Sequence, residues 1–194
     1  MPDFKPVNLY GGAITAEFPA TFGDVSDIRQ VPDNQEVYLD ANGFSSIVVE
    51  ILERVEKPDT EALEYHLRDL VEDEEDDAAE KTKVWWSGTA VGAKLPPSTP
   101  TYNLLATSPP GAKQQGRANE PEFVAIMLTL IRLAAQETDI LVTVNVPHVK
   151  GQFEEGSVDL EHGKTGPLLE QAAKWRQRVL ETLEVKEWGL FGGE

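Results

Sequence analysis

Three apolar runs form the clearest hydrophobic pattern along the chain. The run from Ser46 to Leu52 is apolar and β-branched with little alternation, which is typical of a strand buried on both faces near the centre of a sheet. Two longer runs, Phe123 to Leu133 and Ile140 to Val146, are joined by the short polar segment Ala134 to Asp139. We therefore expect these two runs to form a pair of antiparallel strands with one face in the core.

Two further segments show helical spacing of their apolar residues. The first begins at Pro58, where Asp59 or Thr60 is expected to cap the free backbone amides. Its predicted buried stripe, which His66 borders, consists of Leu63, Leu67, Leu70 and Val71. The second helix is expected to begin near Thr165 to Pro167 and to pack across the sheet. Its apolar residues recur at helical spacing: Leu168, Leu169, Ala172, Ala173, Val179, Leu180 and Leu183.

Weaker patterns and loops complete the expected architecture. Short strands are predicted at Ala13 to Glu17, Glu36 to Leu39, Lys83 to Ser87 and Tyr102 to Thr107. In a regular strand, the adjacent Trp85 and Trp86 face opposite ways, so we expect one in the core and the other near the surface. Flexible inserts are expected near 72–81, 92–101, 108–121 and 148–164. Together these elements predict a single domain over residues 1–194 with an α+β fold, in which helices flank a mainly antiparallel sheet.

The charge of the chain narrows the classes of partner. Its 34 Asp and Glu residues outnumber 17 Lys and Arg residues, which gives a formal net charge of -17. Nucleic acids and anionic membranes are bound through Lys and Arg, so both are poor candidates. A basic protein surface fits better, because complementary charge speeds association. The chain has neither an apolar run long enough to span a bilayer nor a secretory leader, so we expect a soluble protein in the cytosol or nucleus.

Candidate chemistry is sparse. The absence of cysteine excludes disulfides, thiolate nucleophiles and Cys-ligated zinc. Gly11 and Gly12 lack the residues of a phosphate loop and predict a tight turn. The three histidines are not at metal-ligand spacing, and surface or hydrogen-bonded side chains are expected. The acidic run from Glu72 to Asp77 lacks the spacing of a calcium loop and is interpreted as a solvated charge run. We therefore expect no cofactor, no metal and no catalytic residue.

The acids around one predicted strand are the most informative polar residues. Glu50 interrupts the apolar run, and a lone buried carboxylate is costly, so it should reach an edge, a partner or a basic group. Glu50 and Glu53 could form a hydrolytic acid and base pair, but no nucleophile or sugar-binding aromatic cluster accompanies them. An exposed charge at a strand end explains them equally well. The residues alone therefore indicate an acidic α+β binding domain.

Several blocks of sequence resemble a known family. Leu9 to Ile14, Val31 to Tyr38 and Ser46 to Glu53 are similar, in order and spacing, to blocks of the Ran guanine-nucleotide release factors, the Mog family. The helix segment His66 to Leu70 and the hairpin from Leu130 to Pro147 extend the resemblance. It weakens over residues 72–121 and 148–164, and it implies an α/β/α sandwich around a sheet of about six strands, related to a photosystem-associated (PsbP-like) fold.

The resemblance also implies a function. Such a protein binds the small GTPase Ran, promotes release of its guanine nucleotide and supports nuclear import, without covalent catalysis. It is expected to be a monomer of nucleus and cytoplasm, with other Ran-binding proteins as further partners. The Ran-binding residues carried over are Asp24, Asp33, Glu36, Glu50 and Glu53, with Arg29 nearby. On this hypothesis Glu50 and Glu53 engage basic groups on Ran while the other acids steer it. The alternative is an acidic adaptor for another basic protein, without nucleotide-release activity.

Overall fold

The computed structural model describes residues 3–72, 78–111 and 114–192. The strands in these ranges are β1 (Phe4–Leu9), β2 (Ile14–Pro19), β3 (Phe22–Asp24), β4 (Gln35–Asp40), β5 (Ser46–Glu53), β6 (Lys83–Thr89), β7 (Thr101–Ser108), β8 (Pro121–Leu133), β9 (Thr138–Val149) and β10 (Glu184–Val185). The α-helices are α1 (Asp59–Val71), α2 (Ala78–Lys81) and α3 (Gly166–Thr182). Within the described ranges, no helix combines the length and apolar character needed to cross a bilayer.

A seven-stranded antiparallel sheet forms the centre of the fold, in the order β3-β4-β5-β9-β8-β7-β6. The three apolar runs occupy its middle as β5, β9 and β8, which confirms the predicted central position of β5 and the predicted hairpin. The expectation that only one face of the hairpin lies in the core is wrong, because its other face is covered by α1. The sheet has one strand more than the six or so expected. A separate three-stranded sheet, β1-β2-β10, was not predicted. Two of its strands carry weak signals, because β1 contains Pro6 and β10 has only two residues.

The sheet is covered on both faces, which confirms the α+β sandwich. On one face, α3 and the small sheet pack against alternate residues of β5 and β9 such as Val49 and Val142. On the other face, α1 packs on β7 and β8 through Leu63 and Leu67. The predicted burial of Leu70 is wrong, since this side chain is 39% exposed at the rim of α1. The domain boundaries and the flexibility of the four inserts remain predictions, and the acidic residues 73–77 lie outside the described ranges.

The start of α1 differs from the expected capping. Its N-cap is Pro58, and no side chain caps the helix. The Asp59 carboxylate instead accepts hydrogen bonds from Arg132 Nη1 at 2.9 Å and from the Tyr102 hydroxyl at 2.7 Å. Arg132 is 1% exposed and also donates from Nε to Asp139 Oδ1 at 3.0 Å. An unpaired buried cation costs more free energy than an uncapped helix amide that water can reach. The Asp59 carboxylate therefore bonds to Arg132 and does not cap the helix.

The two adjacent tryptophans also depart from expectation. The pairing of β6 with β7 shifts between Val84 and Trp86, which is a β-bulge or similar irregularity. Trp85 packs against the core on the α3 face, and Trp86 lies with its ring 5.1 Å from the guanidinium of Arg176 on α3. The expected alternation is therefore wrong here, because an irregular residue in a strand breaks the period of two. The expected difference in burial is nevertheless confirmed, since Trp85 packs on the core and Trp86 is 44% exposed.

The histidines are mostly hydrogen-bonded, as expected. His66 and His162 each contact an aspartate carboxylate at 2.8 Å. His148 is fully buried and stacks on the Phe123 ring with centroids 4.2 Å apart. Its Nδ1 lies 2.9 Å from the Val146 carbonyl oxygen, as expected of a hydrogen-bonded histidine, whereas its Nε2 has no hydrogen-bond partner among the described residues. Burial lowers the pKa of His148 and so favours its neutral form.

Candidate partner-binding site

The acids selected from the sequence gather at one end of the β4–β5 pair. The antiparallel register places Gln35 opposite Glu50, and the Ile51 amide donates to the Asn34 carbonyl at 2.9 Å. The beginning of β4 therefore lies beside the end of β5. The end of β3 approaches the same region, since Asp24 pairs with Tyr38. We call this region the β4–β5 end, and its acidic residues are Asp24, Asp33, Glu36, Glu50 and Glu53.

These acids do not share one face of the sheet. Residues directly opposite each other in an antiparallel pair point to the same side, and successive residues alternate. Tyr38 packs in the core on the α3 face, so Glu36 and Asp24 point to that face. Glu50 lies opposite Leu141, which belongs to the core on the α1 face. The structure thus brings Asp24 and Glu36 together and separates Glu50 from them by the thickness of the sheet.

Glu36 is held by the turn that the paired glycines make. Tyr10, Gly11 and Gly12 all have positive φ, which confirms the tight turn predicted for the glycines. Positive φ is unusual for a bulky residue such as Tyr10 and is maintained only by its surroundings. The Tyr10 amide donates to Glu36 Oε1 at 2.7 Å, and its hydroxyl lies within 3.0 Å of the carbonyl oxygens of Asn34 and Val49. Tyr10 therefore joins β1 to the beginning of β4 and to β5.

The electrostatic environment of the β4–β5 end disfavours further negative charge. Burial raises the pKa of Glu36 above its usual 4.5, the hydrogen bond from the Tyr10 amide lowers it in part, and the charge of Asp24 raises it again. Burial and the charges of Glu36 and Glu50 also raise the pKa of Tyr10. The pKa of Tyr38 is raised to about 12 by burial and by the charges of Asp24 and Glu36. A cation arriving here would relieve this crowding of negative groups.

Glu36→Gln is expected to make the free protein slightly more stable at neutral pH. Because the pKa of Glu36 is raised on folding, ionising this carboxyl at pH 7 opposes folding, and the cost disappears as the pH falls toward 4. Glutamine keeps an oxygen for the Tyr10 amide but carries no charge. Urea unfolding of both proteins at pH 7 and pH 4.5 measures the effect. A variant that is less stable than wild type at pH 7 would show that the charge of Glu36 supports the fold.

Glu50 already has a partner within the protein. Gln35 Nε2 donates to Glu50 Oε1 at 2.9 Å across the β4–β5 pair. This confirms the expectation that a carboxylate interrupting an apolar strand needs a partner or an edge. The side chain is half-buried on the α1 face. It contributes charge to the region but is less available to an incoming group than an unbonded carboxylate.

Glu53 lies beside an open groove at the end of β5. The groove has a volume of about 570 Å³ and runs between β5, the turn of the β8–β9 hairpin and the chain near Phe191. Glu56 and Glu137 also line it, and Arg54 contributes a cation. The hydroxyl among the residues that line this groove belongs to Thr138, and it donates to the Gln136 carbonyl at 2.8 Å. The proposed hydrolytic pair of Glu50 and Glu53 therefore has no free hydroxyl beside it in this groove. The two carboxylates also point to opposite faces of β5.

The loop from residue 25 to 34 carries the remaining candidates. Asp33 and Arg29 are exposed, and neither forms an ion pair with a described residue. Asp24 Oδ1 accepts a hydrogen bond from the Ser26 amide at 2.9 Å. Among the described residues, no group of three or more His, Cys, Asp or Glu side chains could hold a metal ion. The arrangement of this end is suited to binding through charge rather than to covalent chemistry.

Sequence reasoning missed the residues that organise this end. Tyr10 and Asn34 lie within blocks of sequence that carry the family resemblance. Their residue types alone, however, do not indicate that they hold the β4–β5 end in place. Tyrosine before paired glycines was a usable signal, since an aromatic side chain at a tight turn is available for long-range contacts. Asn34 donates to the Ile51 carbonyl of β5, and Gln35 donates to the Glu50 carboxylate. Such contacts across a strand pair can be predicted only when the register is known.

The fold is shared with solved structures. The crystal structure of the Saccharomyces cerevisiae Ran-binding protein Mog1p superposes with a TM-score of 0.74 at 27% identity and covers 99% of this chain and 100% of its own. The solution structure of cyanobacterial PsbP from Synechocystis superposes with a TM-score of 0.53 at 10% identity over 95% of this chain and 94% of its own, which is a likeness of fold alone. The protein therefore has the Mog/PsbP-like α+β fold.

The sequence comparisons place the chain within that fold class. Residues 7–147 match the model of the Ran-interacting Mog1 protein family. The nuclear import protein mog1 of Schizosaccharomyces pombe is 32% identical over 95% of this chain and 99% of its own length. The Ran guanine nucleotide release factor of Danio rerio is 31% identical over 95% of this chain and 98% of its own. The chain belongs to the Mog1 family.

Proposed function

We propose that this protein binds the small GTPase Ran and promotes release of its guanine nucleotide, in support of nuclear protein import. The observation that carries the proposal is its nearly full-length similarity to relatives named as nuclear import proteins and Ran guanine nucleotide release factors. The fold gives a second line of support, since the superposed Mog1p is a Ran-binding protein. The protein acts as a monomer in the nucleus and cytoplasm and needs no cofactor.

The β4–β5 end is the proposed contact surface. With a net charge of -17 the protein attracts a basic partner, and exposed Asp33 and Glu53 steer it at long range. Close contact with a basic group, which the sequence hypothesis gave to Glu50 and Glu53, is here assigned to Glu36, because a half-buried carboxylate crowded by Asp24 gains most from an arriving cation. Glu50 adds to the field while remaining bonded to Gln35. Arg29 lies in the same loop and orients the partner.

Nucleotide release follows from differential binding and requires no covalent step. If the protein binds Ran more tightly when the nucleotide is absent, the nucleotide must weaken the complex by the same ratio. A thousandfold loosening corresponds to about 4 kcal/mol of coupling. A few well-desolvated contacts at a protein interface supply that amount. Residues at the β4–β5 end therefore suffice without a catalytic group.

The test is the release of a fluorescent guanine nucleotide from purified Ran, with and without this protein. We expect accelerated release that rises with protein concentration and weakens when salt is raised from about 50 to 200 mM, because exposed charges are screened. The same measurement on another small GTPase serves as the control. Unchanged release despite a salt-sensitive complex would indicate an adaptor, and absence of a complex would overturn the proposal.

A further inference from the structure

Ile28 is the large apolar side chain most exposed at the β4–β5 end. It is 79% exposed in the loop between β3 and β4. Exposed apolar residues are common singly, so exposure alone says little. The surroundings of Ile28 are unusual, however. Asp27 and Asp33 lie on the same loop, Asp24 ends β3 directly before it, and Glu36 follows at the beginning of β4.

The backbone around Ile28 is fixed before any partner arrives. The amides of Ile28 and Arg29 both donate to the Val25 carbonyl, at 3.0 and 3.1 Å. Val25 is buried, and its own amide donates to the Val37 carbonyl of β4 at 3.1 Å. The turn is thus anchored to the sheet while the Ile28 side chain projects into solvent. A side chain presented on a preformed turn costs less ordering entropy on binding than one on an unstructured loop.

We propose that Ile28 is an apolar anchor that enters an apolar depression bordered by Lys or Arg side chains on the GTPase partner; this rests on the function proposed above. Charge complementarity selects the occupant. A depression rimmed by basic groups matches an isoleucine on a segment that carries Asp24, Asp27, Asp33 and Glu36. Binding surfaces commonly combine an apolar centre with a charged rim that sets orientation. The acidic residues then speed association with the partner, and Ile28 slows its dissociation.

The acidic rim residues and the apolar anchor Ile28 are therefore expected to have different effects on the binding kinetics. Rim charges mainly change the association rate and its salt dependence. Removal of a buried apolar anchor mainly raises the dissociation rate. Ile28→Ser is therefore expected to weaken binding about 10- to 100-fold, or about 1.4 to 2.7 kcal/mol. The loss should lie in dissociation, with an unchanged slope against salt.

The experiment measures association and dissociation rates of wild type, Ile28→Ser and Val91→Ser with nucleotide-free Ran. Val91 is a matched control because it is 82% exposed and follows β6, at the opposite edge of the seven-stranded sheet. Urea midpoints should be the same for all three proteins, since both side chains are exposed. Val91→Ser should bind like wild type.

The outcomes separate the anchor from the proposed function. Faster dissociation of Ile28→Ser alone supports the anchor. Tight binding by wild type and equal binding by Ile28→Ser would overturn the anchor and leave Ran binding intact. A change confined to the association rate would make Ile28 part of the rim instead and would also overturn it. If wild type forms no complex with Ran, the proposed function and the anchor fail together.

Discussion

Replacing Asp139 by asparagine is expected to lower the free energy of unfolding by about 3 to 5 kcal/mol at pH 7. The Asp139 side chain is fully buried and accepts hydrogen bonds from two side chains and from the Val55 amide. Its Oδ1 accepts from Arg132 Nε at 3.0 Å, and its Oδ2 accepts from His66 Nε2 at 2.8 Å. Asparagine keeps the shape but removes the charge, so the buried guanidinium loses its fully buried carboxylate partner and keeps only Asp59, which is 34% exposed. Urea unfolding followed by circular dichroism measures the loss.

The loss should depend on pH in a defined direction. Burial alone would raise the pKa of Asp139, but hydrogen bonds from His66, Arg132 and the Val55 amide outweigh it and hold the pKa below its usual 3.8. A carboxyl with a lowered pKa in the folded state stabilises the protein above its unfolded pKa, and this contribution is lost as the pH falls through the folded value. The difference between wild type and Asp139→Asn should therefore narrow below about pH 5.

An exposed aspartate provides the control for Asp139. Asp159 also accepts a hydrogen bond from a histidine, His162, at 2.8 Å, but this pair lies on the surface. Asp159→Asn is expected to leave the urea midpoint nearly unchanged, since exposed pairs contribute little. Equal losses in the two variants would mean that the buried network does not hold the fold together.

The network also explains why the β4–β5 end is well positioned. Arg132 donates to the carbonyl oxygens of Val55 and Lys57, which lie in the connection between β5 and α1. That connection begins directly after Glu53, and the Arg54 amide donates to the Glu137 carbonyl at 2.9 Å. The residues that follow β5 are thus hydrogen-bonded both to Arg132 on β8 and to the turn of the β8–β9 hairpin. Binding residues placed on such anchored elements lose little freedom when a partner arrives.

The central elements of the fold could be predicted because their signals are local. A run that is apolar at nearly every position, such as Ser46 to Leu52, is typical of a strand with both faces covered, and it forms β5. The spacing of Leu63 and Leu67 places them on one face of α1, where both are buried. The small sheet is different, because β10 contributes only two residues to β2 through long-range pairing. No local pattern specifies such a contact.

The site could be predicted only in part for a related reason. The acidic residues were identified from their placement and from the family resemblance, but their faces follow from the register of β4 on β5. A shift of β4 by one residue against β5 would move Glu36 to the face of the sheet on which Glu50 lies. From the sequence alone, Arg132 and Asp139 could not be distinguished from exposed charges. Each lies where an apolar run meets the turn of a hairpin, which is a common place for exposed charged residues. Burial of a charge depends on what packs over it.

Reversing the charge of Asp33 and Glu53 together is expected to slow association with Ran by about 100-fold at low salt. Both side chains are exposed at the β4–β5 end, so Asp33→Lys with Glu53→Lys should fold normally. The effect should shrink as salt is raised, because the Debye length falls to about 8 Å at physiological ionic strength. Acceleration of nucleotide release should fall in parallel. Stopped-flow measurement of association at several salt concentrations provides the test.

A second double reversal separates local charge from net charge. Glu154→Lys with Glu155→Lys changes two exposed acids in the loop after β9. Each reversal adds two positive charges, so both double variants move the formal net charge from -17 to -13. If net charge alone steers the partner, the two variants slow association equally, and the β4–β5 end is not the contact surface. If the local charge at the β4–β5 end steers the partner, only the Asp33 and Glu53 variant associates more slowly than wild type, because steering depends on charge near the place where the partner docks.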